Sequence, residues 1–389
     1  MARNADRRRM MLAGLGIAGA GALARVAQAA NPCTGTSDGT APTGKSLQQV
    51  YDKIARTDAG FGEARVPVQS LPGSPTAQYV ISAPGVYYLT ANVTGEPGKS
   101  AIEVAADHVE LECDGFVFLG VTGTLTCIRT PAPQRCIGVY DAGFKGWQGA
   151  CIDLRNAPDS AVEECCFDSC DSTADSTGTS PGTCALGDGG VVFDCDVRSC
   201  HGALVSVGRH GVIEECTNLN GDGGCFFSAG DAVMEDNFAM DNPGAGFTIQ
   251  TRGVLIGNRL VNVGGIDVGA GSVVSENDIG DTPGTAITVR GAGCSVEENY
   301  VANAQTGIAI LGGGGTLVDG NQLTGVATGV IVDGAAPACF VVRNCVRSVP
   351  GGAPYVIPAS SSYGPITAVA GGDVSAVPSS GHPWANFAY

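Results

Sequence analysis

Gln250, Arg252, Asp267 and Arg290 form the densest run of polar side chains in a chain of which only 15% is charged. A carboxylate set between two guanidiniums suits recognition of a uronate or another acidic sugar, because each guanidinium is a planar fork for bidentate hydrogen bonds. The same residues would equally form an ion pair across neighbouring strands on a solvated face. Catalysis is harder to assemble from them. A glycosidase needs two carboxyl groups ~5–9.5 Å apart. Asp267 and Asp333 share this outward side three repeats apart, which is ~14 Å at the spacing of strands in a sheet. A lyase would need a basic side chain, for which Arg252 or Arg290 could serve, and usually calcium-binding carboxylates; no cluster of aspartates surrounds these arginines. The expected role is binding of polysaccharide along a strand face. A lyase of acidic glycans is the alternative from the enzyme class, and a structural cell-surface protein is the third reading.

Two further sets of residues have chemical potential. Glu215, Asp236, Glu276 and Glu298 continue an acidic column begun by Glu164 and Asp194. Carboxylates stacked at ~4.8 Å repel one another and would favour Ca²⁺ between them; a solubilising edge that discourages lateral association is the plainer reading. No cofactor is required, and calcium is the one considered. Of the sixteen cysteines, Cys165 and Cys195 hold equivalent places in adjacent repeats, as do Cys170 and Cys200 five residues further on. Stacking would bring their Cα atoms to ~4.8 Å, inside the ~4.4–6.8 Å window of a disulfide. Disulfides are the expectation, with buried free thiols or a bound metal as the other readings.

The elements that would position these residues come from an internal repeat. Seven segments between residues 202 and 344 each have a short alternating strand, a glycine-rich corner, a second apolar strand and a terminal Cys or Asn. The terminal residues are Cys216, Asn237, Asn258, Asn277, Asn299, Asn321 and Asn344, at spacings of 21, 21, 19, 22, 22 and 23 by subtraction. A period near 20 with strand-type alternation predicts a solenoid. One Asn per turn would build an internal ladder whose amides bond rung to rung and satisfy buried polar groups.

This pattern resembles the right-handed parallel β-helix shared by pectate-lyase-like proteins. The resemblance implies an all-β, single-stranded right-handed solenoid over residues 101–349, with about eleven coils counted in this sequence. Ile81-Ser82-Ala83-Pro84-Gly85-Val86-Tyr87-Tyr88-Leu89-Thr90, followed by Val109 to Phe116 and ending in Pro383-Trp384-Ala385-Asn386, is similar to secreted bacterial β-helix proteins of unassigned function. That similarity implies fold and export and brings no activity. The polygalacturonase pattern of Asn-Thr-Asp, Asp-Asp and Gly-His-Gly is absent. Residues 30–100 are expected to cap the solenoid, with a helix over 46–56, and residues 350–389 to form a Pro/Gly/Ser-rich tail.

Residues 1–29 read as a Tat-type signal. Arg7, Arg8 and Arg9 precede a weakly apolar stretch, and Ala27-Gln28-Ala29 offers a small-x-small cleavage site. Its removal takes five Arg and one Asp, so the charge moves from −17 to −17 − (5 − 1) = −21. Such an acidic balance argues against nucleic acid or anionic lipid as partner. No later apolar run reaches the ~18 residues of a membrane span. A periplasmic, cell-surface or extracellular location follows from the signal.

Overall fold

The computed structural model describes residues 65–172, 182–202, 204–244, 246–369 and 377–389. The expected signal over 1–29 and helix over 46–56 lie outside the described residues. Each turn of the chain lays down three short strands on three faces. Ile266–Val268 runs along face A, Val273–Ser275 along face B and Asp278–Gly280 along face C, and Thr285–Val289 then begins the next turn on face A. The pairings are parallel, and as far as Cys345–Val356 they join like positions of successive turns: Ile266 lies beside Ile287, Ile287 beside Ile308, and Ile308 beside Val330. These inward residues are at most 1% exposed, so the core is a set of aliphatic columns running the length of the solenoid.

Corners are made by single left-handed residues. In this turn they are Gly271 (φ 71°), Glu276 (φ 57°) and Asp281 (φ 55°). Only glycine adopts that conformation without cost, with Asn and Asp next, which accounts for the Gly, Asn and Asp content of every turn. At the corner between faces B and C the next residue points inward. There the ladder forms as expected: Nδ2 of Asn258 donates to Oδ1 of Asn277 at 3.0 Å, Asn277 to Asn299 at 2.9 Å and Asn299 to Asn321 at 2.9 Å. Each Oδ1 also accepts the backbone N–H of the preceding rung, as from Asn258 N to Asn277 at 3.0 Å.

The all-β solenoid is as expected, but among the described residues face B carries fourteen strands, so the count of eleven coils is corrected upward. Rungs already begin at Val66–Pro67 and Ala77–Ile81, inside the region expected as a cap, and continue to Asn386–Ala388 in the expected tail. The early turns escaped the repeat pattern because Phe116 and Ala142, both buried, stand in the column later held by Cys165 and the asparagines. Two residues further on, in the next inward column, Phe118, Phe144 and Phe167 stack with centroids 5.1 and 4.9 Å apart.

Candidate functional site

Face A presents two outward columns, and the strand register fixes their members. One contains Ser206, Phe227, Thr248, Asp267, Thr288, Ala309 and Ile331. Gln250, Gly269 and Arg290 follow one another in the second. Asp267 and Arg290 meet as expected, with Nε 2.9 and 2.7 Å from the two carboxylate oxygens. Gln250 is exposed beside them. Gly269, between Gln250 and Arg290, must lack a side chain, since a Cβ there would stand 1.6 Å from the carbonyl oxygen of Gln250.

Arg252 does not join this group. It occupies the left-handed corner after face A (φ 47°), so its side chain belongs to the corner column with His210 and Asp231 and not to the strand column. There it grips Asp231, with Nε 2.5 Å from Oδ1 and a terminal nitrogen 2.8 Å from Oδ2. Arg209 approaches the same Oδ2 at 2.8 Å. The carboxylate between two guanidiniums therefore exists, but it is Asp231 and not Asp267. The two guanidiniums hold the Asp231 carboxyl well below the usual carboxylate range, and Asp231 in turn raises Arg252 above the ordinary arginine value. The signal was available in the sequence, since His210, Asp231 and Arg252 each stand just before the Gly or Ala that opens face B (Gly211, Ala232, Gly253).

Beside this clamp a shallow open groove of about 510 Å³ follows the junction of face A and its corner loops. Pro133, Pro158 and Leu186 give it apolar walls, Phe227 lies half-buried along it, and Arg155, Asp188 and Ser206 supply polar groups. Arg155 is oriented by a two-point contact with Asp153, both bonds 2.9 Å. Oδ1 of Asp188 accepts the backbone N–H of Arg209 at 2.8 Å, which ties the groove to the clamp.

The acidic column runs along one corner of the solenoid. Glu215, Asp236, Glu276 and Glu298 are all left-handed corner residues (φ 54–57°). Gly257 interrupts their column between Asp236 and Glu276, and Asp236, Glu276 and Glu298 are exposed. Among the described residues no group of three or more His, Cys, Asp or Glu side chains is gathered to hold a metal ion.

The expected disulfides are corrected as well. Cys165, Cys195, Cys170 and Cys200 are buried free thiols; Cys166, by contrast, is disulfide-bonded. The reason lies in the ladder chemistry. Nδ2 of Asn277 donates to Ser275 O at 2.9 Å and to Leu255 O of the previous turn at 3.1 Å. Sγ of Cys195 addresses the equivalent pair, Phe193 O at 3.3 Å and Val162 O at 3.6 Å. Cys170 and Cys200 repeat the arrangement at the corner between faces C and A. Burial pushes the Cys165, Cys170 and Cys195 thiols up, and at Cys200 the neighbouring Cys170 thiol does so first, burial second. None is a nucleophile in this state.

No curated protein matches the sequence. Among solved structures the chain is similar to PfbA, a surface adhesin of Streptococcus pneumoniae, at 12% identity over 84% of this chain and 91% of that one, with a TM-score of 0.45. It is similar to the A-module of the Azotobacter vinelandii mannuronan C-5 epimerase AlgE6 at 16% identity, over 80% and 93%, with a TM-score of 0.47. The periplasmic alginate epimerase AlgG is similar at 13% identity, over 77% and 82%, with a TM-score of 0.42. Likeness at this level concerns the path of the chain and carries nothing about ligand or reaction. Residues 178–346, less than half of the chain, match the family model for the right handed beta helix region, and the described turns stack as a parallel β-solenoid.

Proposed function

We propose that the protein binds an acidic polysaccharide along face A, with the Arg209–Asp231–Arg252 clamp as the principal contact. The observation that carries this reading is the clamp itself: two guanidiniums share one carboxylate, leaving a local charge of +2 − 1 = +1 on a protein whose net charge is −17. Arg209 spends one N–H on Asp231 and Arg252 two, so each keeps donors of its five for a ligand carboxylate or sulfate. The groove adds what sugar recognition needs beyond charge, namely a half-buried Phe227 with a few fixed polar groups around it. From Arg155 to Arg290 the outward column spans six strand spacings of ~4.8 Å, a length suited to an extended polymer.

Binding is favoured over lyase chemistry by the same contacts. Asp231 accepts from both guanidiniums and Arg252 gives it two N–H groups, so neither is poised to move a proton to or from a substrate. The proposal includes export through residues 1–29 and calcium only as an optional bridge. The test is a glycan array probed with the full chain and with Arg252→Ala, with and without calcium. Binding of acidic glycans that is lost in the variant, and indifferent to calcium, is the expected result. Absence of binding to any glycan, or unsaturated products appearing on incubation, would overturn it in favour of a structural role or a lyase respectively.

A further inference from the structure

The strand Asn386–Ala388 lies between two strands that both precede it in the sequence. On face C, successive turns pair in chain order as far as Cys345–Val356. The next strand of that face in sequence is Ile366–Ala368, but the two are separated by the last strand, Asn386–Ala388. Phe387 lies beside Cys345 on one side and Thr367 on the other. On face B the same turns touch directly, with Phe340 beside Ser362 and Val341 beside Tyr363. A slot one strand wide is thus open on face C where face B has none, and Asn386–Ala388 fills it.

What holds the occupant is backbone pairing plus one side chain. Phe387 N donates to Asn344 O at 2.8 Å, Tyr389 N to Val346 O at 2.9 Å, and Val369 N to Ala388 O at 2.8 Å. Oδ1 of Asn386 accepts from Asn344 N at 3.0 Å and Nδ2 at 3.2 Å, and its own Nδ2 donates to Val341 O at 3.0 Å and Gly364 O at 3.2 Å. Tyr355 OH reaches both Asn344 O at 2.8 Å and Phe387 O at 3.0 Å across the junction. Asn386 is therefore the last rung of the asparagine ladder, delivered out of sequence. The strand is separated from Val369 by the sixteen residues 370–385, so its place along face C does not follow the order of the chain.

We infer that this slot is a strand-accepting binding site whose ligand is an extended peptide bearing Asn at the ladder position, and that the carboxy-terminal strand of a second copy of this chain can occupy it in place of the chain's own. Recognition is β-augmentation made specific by one amide, and an identical occupant makes the exchange between copies self-complementary. The exposed Tyr363, Trp384 and Tyr389 at this end (50, 46 and 47% exposed) flank the entry.

The test uses a fluorescent peptide with the sequence of residues 383–389 as stand-in for the second copy, and a control peptide with Asp in place of the Asn. The full chain carries Phe387→Pro, which removes the N–H given to Asn344 and unseats its own strand. The Asn peptide is expected to bind this variant at least about tenfold more tightly than wild type, because a tethered strand competes at an effective concentration near the millimolar range. The Asp peptide should not bind. Equal affinity for both chains, or no binding by a variant whose circular dichroism shows it folded, would overturn the inference. If the variant does not fold, hydrogen exchange of wild type decides. The Phe387 and Tyr389 amides should open together well before that of Val301; protection equal to Val301 would mean a permanent strand and overturn the inference too.

Discussion

Asp231 receives Arg252 through two nitrogens, at 2.5 and 2.8 Å, across one strand spacing at the corner of the solenoid. Both residues adopt the left-handed conformation (φ 52° and 47°), so the corner itself, and not the strand, aims them at each other. That arrangement fixes the ion pair before any ligand arrives, and a preorganised guanidinium loses less freedom on binding than a free one.

The clamp has a definite pH signature. The native pKa of Asp231 is depressed, so its contribution to stability is fully present above the unfolded value of ~3.9 and is lost as pH falls towards the native value. The urea midpoint of wild type should exceed that of Asp231→Asn by a constant margin between pH 8 and 5 and converge with it below about pH 4. A margin that instead grows on acidification would mean the carboxyl is not held by the two arginines.

The ladder should be the most sensitive part of the interior. Asn277 accepts from Asn258 N and Nδ2, both at 3.0 Å, and donates to Leu255 O, Ser275 O and Asn299 Oδ1. Asn277→Ala leaves several buried groups without partners, at about 1–3 kcal/mol each, for a loss of roughly 3–5 kcal/mol by urea unfolding. Asn303, in the outer column, makes one exposed side-chain bond, to Asp281 at 2.9 Å, and sits at φ 56°. Asn303→Gly should therefore change stability by less than about 1 kcal/mol.

Gly269 gives a steric prediction on the proposed binding face. A methyl there would stand 1.6 Å from Gln250 O, so the strand Ile266–Val268 must shift outward and carry Asp267 with it. Gly269→Ala should cost about 2 kcal/mol or more and weaken acidic-glycan binding. Gly284, where an added Cβ meets nothing within 4 Å, should accept alanine with both properties unchanged.

The repeat, the face pattern and the ladder were legible because each follows from one residue per turn with a fixed job: an aliphatic inward, a left-handed former at the corner, an amide behind it. A carboxylate between two guanidiniums was anticipated, but around Asp267 and not, as found, around Asp231 one column away. Alternation along a strand says which side chains point outward, but it stops at the corner, and Arg252 lies past it. Asn386 was read only as part of an end motif because no period links it to Asn344, forty-two residues before it. The thiols misled for a physical reason: a spacing that admits a disulfide is the same spacing that lets Cys195 serve carbonyls as an asparagine would.

That equivalence is itself testable at the junction of the two ladders. Cys216 N donates to Oδ1 of Asn237 at 3.0 Å, and Sγ addresses Glu214 O at 3.2 Å and Val192 O at 3.6 Å. These are the bonds an asparagine amide makes two turns later, where Nδ2 of Asn258 donates to Ile256 O at 3.2 Å and to Met234 O at 2.8 Å. Cys216→Asn should extend the ladder by one rung and leave stability within about 1 kcal/mol of wild type or above it. Cys216→Val keeps the bulk but removes the donor, exposing two buried carbonyls to an apolar group, and should cost about 1–3 kcal/mol. Urea unfolding of the two variants separates the readings: if valine is tolerated and asparagine is not, the cysteine column is a packing column and its bonds to the carbonyls are incidental.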